Sequence, residues 1–298
     1  MPIYLRILIL ALLFAEPSKA AEPIRQAFLA TGSETFIVDD SGKATWTYPH
    51  PSRDGWVLEN GHVLLALAKS KTYPGGAVVE VDRKGQTLFE YKGTQSEVNT
   101  VQPLEGGAVL LTEAGAKPRI LEVGRDGKVR AEVLIQAQVK DHHLQTRMTR
   151  KLANGNYLVP QLLDRVVREY DRSGKIVWES KTPHMPFTAI RLPDGHTLIG
   201  CTLGHLVIEV DGKGKEVWRV SNDDLPGKPI NDACGVQRLD NGNTVITSHH
   251  ATAGQVKLLE VTRAKAIVWT HVDNRKSGIH HFQILDAGGK PEGKVSLR

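Results

Sequence analysis

Apolar and polar residues alternate with a period of two along most of this chain, and clusters of Gly, Asp, Asn and Pro interrupt the alternation every few positions. That pattern predicts short β-strands joined by tight turns. Residues 189–220 show the unit most clearly. Four runs rich in Leu, Ile and Val are separated by a turn at Pro193-Asp194-Gly195, a loop at Gly204-His205 and a turn at Asp211-Gly212-Lys213-Gly214. Such a unit is a strand meander.

The unit recurs along the chain, and its first-strand leucines fall at Leu58, Leu104, Leu152, Leu192, Leu239 and Leu285, with gaps of 46, 48, 40, 47 and 46 residues. The last unit has only its first strand, residues 281–286. The three strands it lacks stand near the other end of the chain, as FLATGS, ETFIVDD and ATWTYP. A solenoid would carry capping repeats, whereas a repeat divided between the two ends is what a closed ring requires, because joining them removes an open sheet edge. The predicted fold is therefore all-β: a six-bladed β-propeller of four-stranded antiparallel blades, closed by a blade shared between the N- and C-terminal segments. A large residue recurs in the fourth strand, as Trp46, Trp178, Trp218 and Trp269 with Phe89 substituting, and Ala131 departs from it. These are expected to be packing residues.

Residues 1–20 carry one Arg, nine apolar residues from Ile7 to Ala15, and then Ser18-Lys19-Ala20. Nine residues are too few to span a bilayer, so the segment reads as a cleaved signal peptide. The expected mature protein is residues 21–298, a single monomeric domain exported to the periplasm or beyond, with no transmembrane segment. A composition of 40% hydrophobic and 24% charged residues excludes disorder. The net charge of +5 is interspersed, with no basic run, so nucleic acid is not an expected partner. Export would permit a disulfide, but the spacing of Cys201 and Cys234 neither supports nor excludes one.

The pieces DDSGKATW, DRSGKIVW and DGKGKEVW resemble the repeat tails of pyrroloquinoline-quinone-type propellers. RLPDGHTLI and RLDNGNTVI are similar to the inner-strand hairpin of six-bladed bacterial propellers of the arylsulfotransferase-like group. The resemblance covers essentially the whole mature chain, in motifs that specify turns and blade packing. It implies one reaction, in which a funnel histidine takes a sulfate group from an ester and passes it to a phenol. His280 stands at the matching inner-strand position, and the second-strand end reads Ser248-His249-His250.

The candidate chemistry is unevenly distributed. Turns between strands one and two, and between three and four, are monotonous hairpin residues. The loops at the opposite face hold His50, Asp141-His142-His143, His184, His205, His249-His250, His271 and His280-His281, leaving only His62 and His196 among the turns. Propeller mouths gather such loops around a funnel. Five residues before each repeat leucine stand Arg53, Asn99, Arg147, Phe187, Cys234 and His280, and the next positions are Asp54, Thr100, Met148, Thr188, Gly235 and His281. Rings this varied and polar do not read as repeat core. Two arginines and a histidine pair suit an anion, since guanidinium forks bind carboxylate, sulfate or phosphate. Candidate ligand-binding residues are thus Arg53, Asp54, Asn99, His143, Arg147, His184, His205, Cys234, His249 and His250, with His280 and His281 as catalytic candidates if the protein is an enzyme. His280, His281, His143, His249 and Cys234 could also supply borderline metal ligands, but no spaced pair with a nearby acid specifies a metal, and none is assigned. No cofactor is specified. Two classes stay open: a recognition module for a small anion, a glycan or a partner protein, and an enzyme using funnel histidines for group transfer, elimination or hydrolysis.

Overall fold

A computed structural model describes residues 24–291; the signal segment expected over residues 1–20 lies outside the described residues. The closing blade contains β1 (Ala27–Gly32), β2 (Thr35–Val38) and β3 (Ala44–Tyr48). The first full blade follows with β4 (Ser52–Val57), β5 (Val63–Leu67), β6 (Ala77–Val81) and β7 (Thr87–Lys92). The second holds β8 (Glu97–Pro103), β9 (Val109–Ala114), β10 (Arg119–Val123) and β11 (Val129–Leu134). The third holds β12 (Arg150–Lys151), β13 (Tyr157–Gln161), β14 (Val166–Tyr170) and β15 (Ile176–Lys181). The fourth is β16 (Met185–Arg191), β17 (Thr197–Thr202), β18 (Leu206–Val210) and β19 (Glu216–Ser221). The fifth is β20 (Val236–Arg238), β21 (Thr244–Thr247), β22 (Val256–Val261) and β23 (Ile267–Val272). Finally β24 (Ile279–Leu285) becomes the inner strand of the closing blade, pairing antiparallel with β1 from Ala27↔Leu285 to Gly32↔Ile279. The six four-stranded sheets are those of a six-bladed propeller, closed by strands from both ends of the chain.

The repeat leucines mark the bottoms of the inner strands. At Leu58, Leu104, Leu152, Leu192 and Leu239 the amide donates to the carbonyl four residues on, and a glycine amide three residues on donates back to the leucine carbonyl. Those glycines, Gly61, Gly107, Gly155, Gly195 and Gly242, hold φ between 81° and 86°. Only a residue without Cβ adopts that conformation at no steric cost, which is why each repeat carries a glycine there.

Neighbouring blades are joined by two repeated devices. Gln102, Gln237 and Gln283, each two positions before a repeat leucine, accept a hydrogen bond from a backbone amide of the next blade, at Lys151, Ile284 and Val57, over 2.7–3.0 Å. Near the turn face, a buried glutamate in the third strand of five blades meets a group of the next blade. Glu80 meets Arg125 at 2.5 Å, Glu122 meets Lys151 at 2.6 Å and Glu169 meets Arg191 at 3.0 Å. Glu209 pairs with Arg238 at 2.9 Å and with Arg263, while Glu260 accepts from Gln26 at 2.8 Å. In the closing blade the place belongs to Ile37, which shares one buried apolar cluster with Val57 and Val79 of the first blade. The fourth-strand tryptophans dock in the same seams: Trp46, Trp178 and Trp218 donate their indole N–H to turn carbonyls of Arg83, Gly212 and Arg263. Both cysteines are buried free thiols.

Candidate functional site

The inner strands break register at the mouth. Pairing jumps from Ser52 to Asp54 in β4, from Val98 to Thr100 in β8, from Pro186 to Thr188 in β16, and over His280 in β24. The residues skipped are Arg53, Asn99, Phe187 and His280, four members of the first predicted ring. A β-bulge leaves its extra residue outside the ladder and re-aims the side chain, so each blade can present one side chain to the axis without disturbing its neighbours. Arg147 and Cys234 occupy the corresponding places just before β12 and β20.

These side chains converge. The Arg147 guanidinium lies 5.7 Å from the Phe187 ring, which meets His280 edge-on at 4.6 Å. His280 in turn meets His249 at 4.8 Å and lies 3.1 Å through Nδ1 from the Arg53 carbonyl. A carbonyl only accepts, so Nδ1 carries the proton and Nε2 keeps the lone pair. Arg147 Nη2 lies 3.1 Å from both nitrogens of His143, a guanidinium over an imidazole rather than a single hydrogen bond. His143 and Arg53 share Glu97, at 3.1 and 3.2 Å, with Lys69 at 3.5 Å. A cavity of about 240 Å³ is lined by Arg53, His143, His249 and His280 together with Ser33 and Ser52. His249 reaches this group because residue 278 is glycine: a Cβ there would clash with the His249 carbonyl.

Several polar groups here are buried without a partner. Both amide atoms of Asn99, which is 0% exposed, make no hydrogen bond, and neither do Arg147 Nε, Arg53 Nε or His249 Nδ1. Orphaned buried polar groups are expensive, typically about 1–3 kcal/mol each, and though others lie elsewhere, at Thr112, Arg191 and Thr197, Asn99 is unpartnered at both amide atoms.

The electrostatics match. Burial, reinforced by repulsion from Arg53, lowers Arg147 to about 9. Burial also lowers Arg53, although Glu97 opposes it. Burial opposes ionisation of Glu97, but the His143 hydrogen bond and the charges of Arg53, His143 and Arg147 outweigh it and hold Glu97 at about 2. His249 is lowered to about 4 by burial and by His250, and His280 falls well below 6.5 through burial, His249 and the two arginines. At neutral pH the mouth therefore holds two guanidiniums, one carboxylate and two uncharged imidazoles. Cys234 is pushed well above 9 by burial, so its thiol is protonated.

The other sequence candidates lie elsewhere. Asp54 and His281 form a second, deeper layer, where Asp54 pairs with Arg150 at 2.9 Å, accepts from Thr100 and lies 3.7 Å from His281. These are structural positions in the wall. His250 is outside the ring, on Asp232 at 3.0 Å. His184 packs against Gly204, and His205 is an exposed loop residue with φ 52°. His50 meets Tyr48, and His271 meets Phe28, both in the outer part of the closing seams. Glu97 was not singled out from the sequence, since a glutamate beginning a strand reads as an edge residue. Among the described residues, one group places three ligand atoms close enough for a metal: Asp194, His196 and Glu209, on the turn face. Glu209 already meets Arg238 and Arg263 there, which leaves little charge for a cation.

No family model matches the sequence, and no curated protein matches it. The resemblance to quinone-type and arylsulfotransferase-like propellers thus rests on the turn and hairpin motifs alone. Among solved structures, a protein of unknown function from Bacteroides caccae is similar with a TM-score of 0.77 and 22% identity, over 88% of this chain and 100% of that one. Virginiamycin B lyase from Staphylococcus aureus is similar with a TM-score of 0.55 and 15% identity, over 74% of this chain and 69% of that one. The WD40 propeller domain of Doa1 gives 0.58 and 11%, over 90% and 88%. At such identities the likeness establishes a β-propeller fold that binding modules and enzymes alike use.

Proposed function

We propose that the mouth of this propeller is a recognition site for a small anion. The observation that carries the reading is the set of unspent donors on buried groups, Arg53 Nε, Arg147 Nε and the Asn99 amide, on three consecutive blades. Two guanidiniums depressed by burial, Arg147 also by repulsion from Arg53, gain from an incoming negative charge, and Asn99 gains a partner it otherwise lacks. In titration calorimetry with acetate or sulfate, Arg53→Gln should weaken binding by about 10- to 100-fold, the worth of a charge-assisted hydrogen bond. Equal affinity in the variant and the parent would refute the site. The leader-like residues 1–20 support action outside the cytoplasm.

A second reading, acid–base catalysis on the bound anion, is favoured by one observation: His280 is neutral, with its Nδ1 proton held by the Arg53 carbonyl and its Nε2 lone pair left as a base. Deuterium exchange at the α-carbon of phenylacetate in D2O that disappears in His280→Gln while binding persists would support this reading; exchange that survives His280→Gln would count against it.

A further inference from the structure

The outer seam between the closing blade and the first blade carries a groove of its own, away from the mouth. Along β3 and just past it the alternate residues Trp46, Tyr48 and His50 are all aromatic, and alternate residues of a strand share a face. No other blade extends the row to three. Phe89 is followed at those places by Tyr91 and Gly93, Trp178 by Ser180 and Thr182, Trp218 by Val220 and Asn222, and Trp269 by His271 and Asp273. Trp46 and Tyr48 lie nearly parallel, with ring centroids 5.9 Å apart and planes 17° from one another, and Tyr48 meets His50 at 5.5 Å. All three line a groove of about 630 Å³ together with Tyr73 and Arg83 of the first blade. Tyr73 is fixed in place, because its hydroxyl donates to Glu90 at 2.6 Å and its amide and carbonyl both bond to Ser70. Arg83 lies 5.8 Å from the Trp46 ring and donates through Nε to the Gly61 carbonyl at 2.7 Å, but among the described residues no carboxylate pairs with it. Burial lowers Arg83 with no opposing charge.

We infer that this groove, independently of the mouth, binds a short acidic oligosaccharide, its pyranose rings against Trp46, Tyr48 and Tyr73 and a uronic carboxylate on Arg83. The C–H face of a pyranose ring is apolar and flat, so it covers the faces of partly exposed aromatic rings, whose amphipathic character suits a site that is apolar on one side and wet on the other. Its hydroxyls need polar neighbours, and Thr87, Lys84 and His50 bring them to the same groove. A guanidinium without a counter-charge suits the carboxylate fork. β3 has five residues at about 3.3 Å each, so the groove beside it is long enough for more than one sugar ring. Its volume lies within the roughly 300–1,000 Å³ of small-molecule sites.

The test titrates the full chain with the trimer of glucuronate joined as in cellulose, with neutral cellotriose and with a glutamate hexapeptide, by calorimetry and tryptophan fluorescence. The glucuronate trimer is expected to bind at least tenfold more tightly than either of the others. Arg83→Gln should shrink its preference over cellotriose to threefold or less, and Tyr48→Ser should weaken its binding at least fivefold. Tyr48→Leu keeps the apolar cover, loses the flat face and replaces the Ser variant if that does not fold. A glucuronate trimer that does not bind overturns the inference. Equal binding of cellotriose or of the glutamate hexapeptide also overturns it, the second by making the groove a reader of charge alone. Binding that survives Arg83→Gln and Tyr48→Leu but is lost in Arg53→Gln puts the sugar acid at the mouth, so the groove assignment falls while the anion reading stands.

Discussion

The two ends of this ring are built from the same strands to opposite purposes. At the turn face five of the six blades do the same thing: an asparagine, aspartate or glycine turn, a buried third-strand glutamate and a partner in the next blade. At the mouth no two of the six ring positions carry the same chemistry except the arginines, and polar atoms are left buried and unsatisfied. Repetition spends its charged side chains on ion pairs between blades, whereas variation at the mouth leaves Asn99 with no partner for either amide atom. This difference, more than any single residue, is what supports the proposed site at the mouth.

Breaking the ring itself has the largest effect. Removing residues 279–298 deletes β24, opens edges on both sides of the closing seam and uncovers Phe28, Leu29 and Ala30, all fully buried. Cooperative unfolding should be lost in circular dichroism, because that loss of apolar burial exceeds the net stability of a typical domain. An unchanged melt would contradict the closure.

Next comes the turn face. Glu209→Gln leaves Arg238 and Arg263 without their counter-charge and should lower unfolding free energy in urea by about 3 kcal/mol, with anion binding unaltered. Burial works against Glu209, but its hydrogen bonds to His196, Arg238 and Arg263 prevail and depress it below its usual 4.5. Its contribution is therefore present above the unfolded value and declines as pH falls through the folded one.

A smaller effect belongs to the mouth histidines. His249 is lowered to about 4 in the fold, so the unfolded chain binds a proton first as the medium is acidified. Stability should fall between pH 6.5 and 4 and be retained above 6.5. His249→Gln should flatten that slope in pH-dependent urea melts, whereas substituting the exposed His205 should leave it as it is.

Much of this contrast was legible in the sequence, and the exceptions have physical reasons. The leucine spacing and the split repeat placed the blades, because a hairpin glycine and an apolar strand end are local requirements. Counting back to Arg53, Asn99, Phe187 and His280 reached the mouth without revealing the bulges, since register depends on the partner strand. Loop identity put His184 and His205 on the correct face but could not give their distance from the axis. His249, on the same kind of loop as His205, gets in through its contact with Gly278. The glutamate seam was visible in VVEVD, VREYD and VIEVD, yet a glutamate in such a run reads as the solvent side of an alternating strand.

The measurement that bears most directly on this account is the thermal melt of Arg147→Met with and without acetate. Arg147 is 1% exposed and its charge is penalised by burial and by Arg53, so an uncharged side chain of similar length removes that penalty. The account predicts that the variant melts no lower than the parent while the stabilisation by saturating acetate disappears. A variant that melts several degrees lower, with the acetate-induced shift intact, would make Arg147 a structural strut and would contradict an anion site at the mouth.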